Sequence, residues 1–290
     1  MLHLSSPAEA KEWCASQRHQ NQTIGFVPTM GALHRGHLSL LNRARQENTA
    51  CCVSIFINPL QFEDGQDFDA YPRNLDTDLS LLADNGCDMV FEGTLEQFFP
   101  EIDPKDSIPL IPAGQFGKGL EEEFRPGHLD GVRTIVDRLF KVVGESKAYF
   151  GEKDFQQTLV VSDLARAIGY PEVIVCPTVR EVSGLALSSR NSLLKAEQAS
   201  DAKKIYQALL AAKKFWQQGE RNPDTLRRAM NDILEASTLV IEYTAIRDPE
   251  NWSASPPYGH LTQAQALIAA RMGSVRLIDN LRLEIGRAHV

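Results

Sequence analysis

The stretch TIGFVPTMGALHRGH, residues 23–37, decides how the rest of the chain reads. Its first five residues form an apolar run that stops at Pro28, the pattern of a short buried strand. From residue 36 to 47 the apolar positions Leu38, Leu41 and Ala44 recur at helical spacing. Between strand and helix lie Met30, Gly31, Ala32, Leu33, His34, Arg35, Gly36 and His37. Gly31 and Gly36 permit backbone angles closed to other residues and a close approach by a ligand. A helix that starts here offers unpaired N–H groups and the positive end of its dipole, which together favour phosphate. His34 and His37, three residues apart, share one helical face. Their imidazoles could donate to phosphate oxygens as charge builds in a transition state.

Other readings of this loop compete. The G-x-x-x-x-G spacing mimics the phosphate loop of nucleoside triphosphatases, but His37 stands where the lysine belongs, so that reading is rejected. His-x-x-His could be half of a zinc site, yet no third ligand lies nearby in sequence. Histidines that only pack or cap stay open on this loop alone.

Outward from this unit the alternation continues. Residues 50–57 read as a second buried strand, stopped by Asn58-Pro59, and 88–91 as a third. Between them residues 73–85 read as a helix with Leu75, Leu79 and Leu82 on one face and Gly86 as its stop. Helix 132–143, strand 148–150, helix 155–168 and strand 173–176 follow. Strand alternating with helix predicts an α/β fold, a parallel sheet covered on both faces. Ligands bind beyond the carboxyl ends of such strands. Asn58 and Gln61 follow one strand there, as neutral amides suited to a small polar substrate, although Asn58 could equally close its own turn. Gly151, Glu152, Lys153 and Asp154 follow another, where a lysine could bridge phosphates and a carboxylate could order a Mg²⁺ shell. Gln157, just after, could reach the same place. A plain solvated turn is the competing reading of that charged string.

The pattern changes after residue 191. Residues 195–218 read as one long helix closed by Gly219, and 223–235 as another behind an Asn222-Pro223 start. Residues 238–246, 266–271 and 274–278 read as strands, so a small α+β domain is expected. The division placed on these signals is residues 1–178 and 179–290. Near the join, Leu187, Ser188, Ser189 and Arg190 offer two hydroxyls and a guanidinium, a phosphate clamp in a polar loop or an ordinary loop string.

Composition narrows the class. The 290 residues are 43% hydrophobic and 23% charged, enough for sizeable cores. Thirty basic and 38 acidic residues leave a net charge of −8, which disfavours a nucleic-acid partner. The five cysteines form no C-x-x-C pair and read as reduced, buried thiols of a cytosolic protein. No apolar stretch reaches membrane-span or signal-peptide length, so a cytoplasmic chain without a membrane partner is expected.

Taken together, VPTMGALHRGH, VSIFINPLQF, YPRNLDTDL, RPGHLDGV, FGEKDFQQ, PTVRE with GLALSSRN, and RLIDN resemble the pantothenate synthetase family, within the H-x-G-H nucleotidyltransferase superfamily. They occur in family order over residues 24–280. The resemblance implies a Rossmann-like N-terminal domain, a smaller C-terminal lid, a homodimer through the N-terminal domain, and use of ATP and Mg²⁺. It implies an ATP-dependent joining of pantoate to β-alanine through an acyl adenylate. By motif position Met30 to His37 would hold ATP, with His34 and His37 at the phosphates and His37 as proton donor. Gly151 to Asp154 and Leu187 to Arg190 would flank adenosine and triphosphate, and Val179 would contact adenine. Gln61 and Gln157 would bind pantoate, with Asn58 beside them; Asp154 is the candidate Mg²⁺ ligand. Three positions depart from the pattern: Arg35 where the family commonly has glutamate, and Leu129 and Asp130 in RPGHLDGV. The preceding residues 120–124 are unusually acidic.

Overall fold

The computed structural model describes residues 1–62 and 65–284. The N-terminal elements are β1 (Leu2–Leu4), α1 (Pro7–His19), β2 (Ile24–Thr29), α2 (Arg35–Glu47), β3 (Ala50–Ile55), α3 (Gly65–Ala70), α4 (Leu75–Asp84), β4 (Met89–Phe91) and α5 (Leu95–Phe98). Then come α6 (Glu121–Phe124), α7 (His128–Val143), β5 (Lys147–Gly151), α8 (Phe155–Ile168) and β6 (Glu172–Cys176). The C-terminal elements are α9 (Ala196–Ala202), α10 (Lys204–Gln217), α11 (Pro223–Leu234), β7 (Val240–Arg247), β8 (Ala264–Met272) and β9 (Val275–Leu283).

The chain divides into two compact units. The first holds residues 1–117, 125–152 and 156–177; the second holds 118–124, 153–155 and 178–290. In the first, six strands pair in parallel in the order β1-β4-β3-β2-β5-β6. The expected α/β sheet is present. Successive β2 residues face opposite layers: Phe26 packs with α1 and α7 through Ala10, Cys14, Val136 and Phe140. Val27 packs with α2 and α4 through Leu41, Ala44 and Leu82. The adjacent cysteines of β3 split the same way, Cys52 to the first layer and Cys51 to the second. All five cysteines are buried free thiols.

The strand order locates the chemistry. After β2 the chain winds outward through β3 and β4, then returns to place β5 on the other side of β2. The order therefore reverses between β2 and β5, and their carboxyl ends flank the crevice where such sheets bind ligands. Residues 29–37 leave one of those ends, and Gly151 ends the other strand.

In the second unit β7, β8 and β9 form an antiparallel sheet. Ala208, Leu209, Ala212 and Trp216 of α10 and Leu226, Met230 and Leu234 of α11 close the core against Ala266, Ile268 and Ala270. Asn222 caps α11 by accepting from the Asp224 and Thr225 amides at 2.9 and 3.3 Å. The acidic segment 120–124 is answered here. Glu121, 5% exposed, takes both guanidinium nitrogens of Arg276 at 2.8 and 2.9 Å and the Tyr243 hydroxyl at 2.7 Å.

Two expectations need correction. The single helix expected over 195–218 is interrupted at Lys203, whose N–H turns to the Asp201 carbonyl while its own angles stay helical. The hydrogen-bond ladder breaks at that single turn residue, which a periodicity reading cannot detect. β1 and α1 were not foreseen: β1 is three residues long, and α1 buries only Pro7, Ala10 and Cys14, too sparse a stripe to stand out. Among the described residues no helix is long and apolar enough to cross a membrane.

Candidate active site

The loop after β2 is held from below by two side chains. The Thr29 hydroxyl donates to the Ser54 carbonyl at 2.7 Å and accepts from the Gly31 amide at 3.2 Å. Asp78, on α4 and 2% exposed, accepts the Ala32 and Leu33 amides, each at 2.8 Å, one on each carboxylate oxygen. Burial pushes the Asp78 carboxyl above the ordinary range, and those two amides pull it back. Gly31 sits at φ +78°, and a Cβ there would stand 2.9 Å from an Asp78 oxygen. Ala32 takes φ +50°, a costly conformation for a residue with a Cβ, held in place by its amide bond to Asp78.

The two histidines start α2. His34 is its N-cap, and its Nδ1 accepts from the Gly36 amide at 3.1 Å. His37 Nδ1 accepts from the His34 amide at 3.3 Å, and the ring centroids stand 4.1 Å apart. Each Nδ1 is an acceptor, so each neutral ring carries its proton on Nε2. The capping reading is met, and capping leaves Nε2 as the nitrogen that can donate from each neutral ring. Arg35 between them is exposed.

Gln61 lies beyond β3, 8% exposed, and its Nε2 stands 3.1 Å from Met30 Sδ. Asn58 is 1% exposed. Its Oδ1 accepts from the Leu60 amide at 3.2 Å; its Nδ2 donates to Gln61 Oε1 at 3.0 Å and to the Gly131 carbonyl at 3.1 Å. Asn58 thus closes its own turn, as the competing reading had it, and also orients the neighbouring Gln61 amide. His128, the first residue of α7, donates from Nδ1 to the Gln61 carbonyl at 2.8 Å and meets Arg125 at 2.9 Å through Nε2. The α7 helix crosses so closely that a Cβ on Gly131 would lie 2.0 Å from the Leu60 carbonyl oxygen. Gln157 is half-buried in the first turn of α8, next to Gln156, which donates to the Phe116 carbonyl at 2.8 Å.

The second unit holds the remaining expected residues apart from Gly151 and Glu152. The Lys153 ammonium stands 3.0 Å from Asp154, whose side chain is 41% exposed. The Leu187 amide donates to the Val179 carbonyl at 3.0 Å, so those two positions are paired backbone to backbone. Ser188 caps the short helix that carries Ser189 and Arg190, accepting from the Arg190 amide at 3.3 Å. Gly151 and Glu152 belong to the first unit and Lys153 and Asp154 to the second.

Several residues with structural weight here had no role assigned from sequence: Asp78, His128, Gly131, Arg180, Asp279 and Asn280. One signal was available. Asp78 shares the helical face of Leu75, Leu79 and Leu82, and an acid on an apolar face asks for a partner.

Comparison with known proteins places nearly the whole chain beside one family. A family model described as pantoate-beta-alanine ligase matches residues 3–282. A pantothenate synthetase of Rubrobacter xylanophilus is 43% identical over 286 residues, 97% of this chain and 98% of its own. The crystal structure of a Thermus thermophilus pantothenate synthetase superposes with a TM-score of 0.88 at 41% identity, covering 98% of this chain and 99% of that one. The pantoate-beta-alanine ligase of Francisella tularensis, solved in complex with beta-gamma ATP and beta-alanine, gives a TM-score of 0.78 at 32% identity, covering 99% and 100%.

Proposed function

The chain belongs to the pantoate-β-alanine ligase family, and from that premise we propose how its residues divide the joining of pantoate to β-alanine at the expense of ATP. The pantoate carboxylate attacks the α-phosphorus of ATP and releases pyrophosphate. The β-alanine amine then attacks the acyl carbon of the adenylate and releases AMP. No protein nucleophile is needed; the work is positioning and neutralisation of developing charge.

The paired histidines carry this reading. With both Nδ1 atoms engaged by backbone amides, each ring has its N–H on Nε2, and His34 and His37 donate to the phosphates, His37 as the proton donor. Met30 to His37, Gly151 to Asp154, Val179 and Leu187 to Arg190 bind ATP. Lys153, Ser188, Ser189 and Arg190 meet the charge that grows on the phosphates. Gln61 and Gln157 bind pantoate. Asn58 serves that pocket through Gln61, to whose amide its own is bonded.

For Mg²⁺ the donor set fits an ion carried mainly by the nucleotide. Among the described residues no cluster of three acidic, His or Cys side chains forms a cage, and Asp154 offers one partly exposed carboxylate. Bound there, the ion would neutralise phosphate charge, with Asp154 its protein contact. The family resemblance also supports a homodimer through the N-terminal domain, a cytoplasmic setting, and neither nucleic acid nor membrane as partner. It supports a division into an ATP- and pantoate-binding domain over 1–178 and a lid over 179–290. A lid is physically sensible because water must be kept from the adenylate.

AMP release from ATP and Mg²⁺, measured with pantoate, with β-alanine and with both, tests the proposal. AMP matched by pantothenate only when both acids are present is the expected result. Pyrophosphate release with pantoate and no response to β-alanine would reassign the acceptor.

A further inference from the structure

The RLIDN string, residues 276–280, has no part in the reaction as set out above. It lies on β9, and its last two residues are deeply buried: Asp279 is 4% and Asn280 3% exposed. Neighbours on a strand point to opposite faces, so the pair reaches two ways from one place.

Asp279 reaches Arg180. Its two oxygens take the guanidinium nitrogens at 2.5 and 2.9 Å, a bidentate pairing. Arg180 also donates to the Gly184 carbonyl at 3.1 Å and lies 4.1 Å over the Tyr206 ring. It directly follows Val179, whose carbonyl is bonded to the Leu187 amide at the head of the Ser188–Arg190 segment.

Asn280 reaches Lys153. Its Nδ2 donates to the Lys153 carbonyl at 2.8 Å across 127 positions of sequence. Its Oδ1 accepts from Gln265 Nε2 at 2.6 Å, and Gln265 is fully buried. A carbonyl only accepts, so the Lys153 carbonyl fixes the Asn280 amide with Nδ2 toward it and Oδ1 toward the Gln265 donor. Removing Asn280 would strip a part-buried carbonyl of this donor at the residue that carries the ammonium.

We propose that Asn280 is a positioning residue for Lys153 and that Asp279, through Arg180, performs the same office for the Val179–Arg190 segment. One pair of adjacent residues on β9 thereby sets two ATP-binding strings of this unit in fixed register. The proposal rests on the assignment of Lys153 to transition-state charge.

The test is a double-mutant cycle on the full-length enzyme, read by pantoate-dependent pyrophosphate–ATP exchange and by thermal unfolding. Lys153→Ala is expected to lower kcat at least about tenfold. Asn280→Ala should lower it about fivefold with the KM for pantoate unchanged, and should add less than about twofold when Lys153 is already alanine. An Asn280→Ala loss that multiplies in full on the Lys153→Ala background overturns the proposal, as does wild-type exchange by Asn280→Ala. Near-normal turnover of Lys153→Ala would instead remove the lysine assignment itself. Should Asn280→Ala fail to fold, Gln265→Met leaves Asn280 in place but drops the donor that holds its Oδ1. It should lose about two- to threefold with the same non-additivity, and full activity there overturns the proposal as well.

Discussion

The two groups of candidate site residues are held in contrasting ways. In the first unit several supports are near neighbours in sequence: His34 and His37 cap each other's turn, and Asn58 fixes Gln61 three residues on, while Asp78 and His128 add remote ones. In the second unit the supports are remote. Arg180 meets Asp279 across 99 positions, and Lys153 meets Asn280 across 127. Local supports come with the loop that needs them. Remote supports exist only once the C-terminal sheet has formed, so this second group depends on the folding of the whole unit.

Each unit also buries one carboxylate behind its loop, and these two acids give the sharpest contrast. Asp279 faces a guanidinium; Asp78 faces two backbone amides. Asp279→Asn leaves the Arg180 charge without its counterion in a buried site and should cost about 3 kcal/mol in urea unfolding. Asp78→Asn keeps one acceptor and turns an NH₂ toward the other amide, a loss of about 1 kcal/mol. Equal losses would mean that charge pairing does not distinguish the two supports.

Gly131→Ala probes a close remote contact of the first unit. The added Cβ meets the Leu60 carbonyl oxygen at 2.0 Å, and both atoms are backbone-borne, so the Asn58–Gln61 turn must shift. A loss of about 2 kcal/mol in stability is expected, with a raised KM for pantoate. An unchanged KM would show that the turn absorbs the strain without moving Gln61.

Activity separates the roles within the first unit. His37→Ala should lower kcat at least about tenfold, near 1.4 kcal/mol, because it acts on transition-state charge. Gln61→Ala should mainly raise the KM for pantoate. Normal turnover in the first variant, or an unchanged KM in the second, would withdraw the corresponding assignment.

This contrast also explains what the sequence disclosed. The αβ alternation and the loop of residues 30–37 were legible because each rests on local periodicity or on glycine and histidine spacing, whereas the reversal between β2 and β5 is set by long-range strand pairing. Strand ends shifted by a residue or more: the strand read over 274–278 runs from Val275 to Leu283, because pairing with β8 extends it past its apolar run. Asp78, Asp279 and Asn280 each lay within a quoted family string, yet no spacing rule links residue 280 to residue 153. Their partners are set by tertiary contact, to which a linear pattern is blind.

The smallest effect concerns a remote support near the surface. Asp201 joins α9 to residue 238: its Oδ1 stands 2.7 Å from the Lys204 ammonium, and its Oδ2 accepts from the Thr238 amide and hydroxyl, each at 2.6 Å. The Lys204 bond, then those from Thr238, pull its carboxyl down from 3.8 to about 2. A depressed carboxylate pKa means that the unfolded chain binds the proton more readily. The stabilisation is therefore complete above the unfolded value and fades as pH falls toward the folded one. With solvent screening the contribution at neutral pH is about 1 kcal/mol. Asp201→Asn should lower stability by that amount near neutrality, and the gap to the parent should shrink to about half near pH 3. A gap that holds constant across that range would assign the support to the Thr238 bonds, which a neutral side chain can keep in part, rather than to the charge.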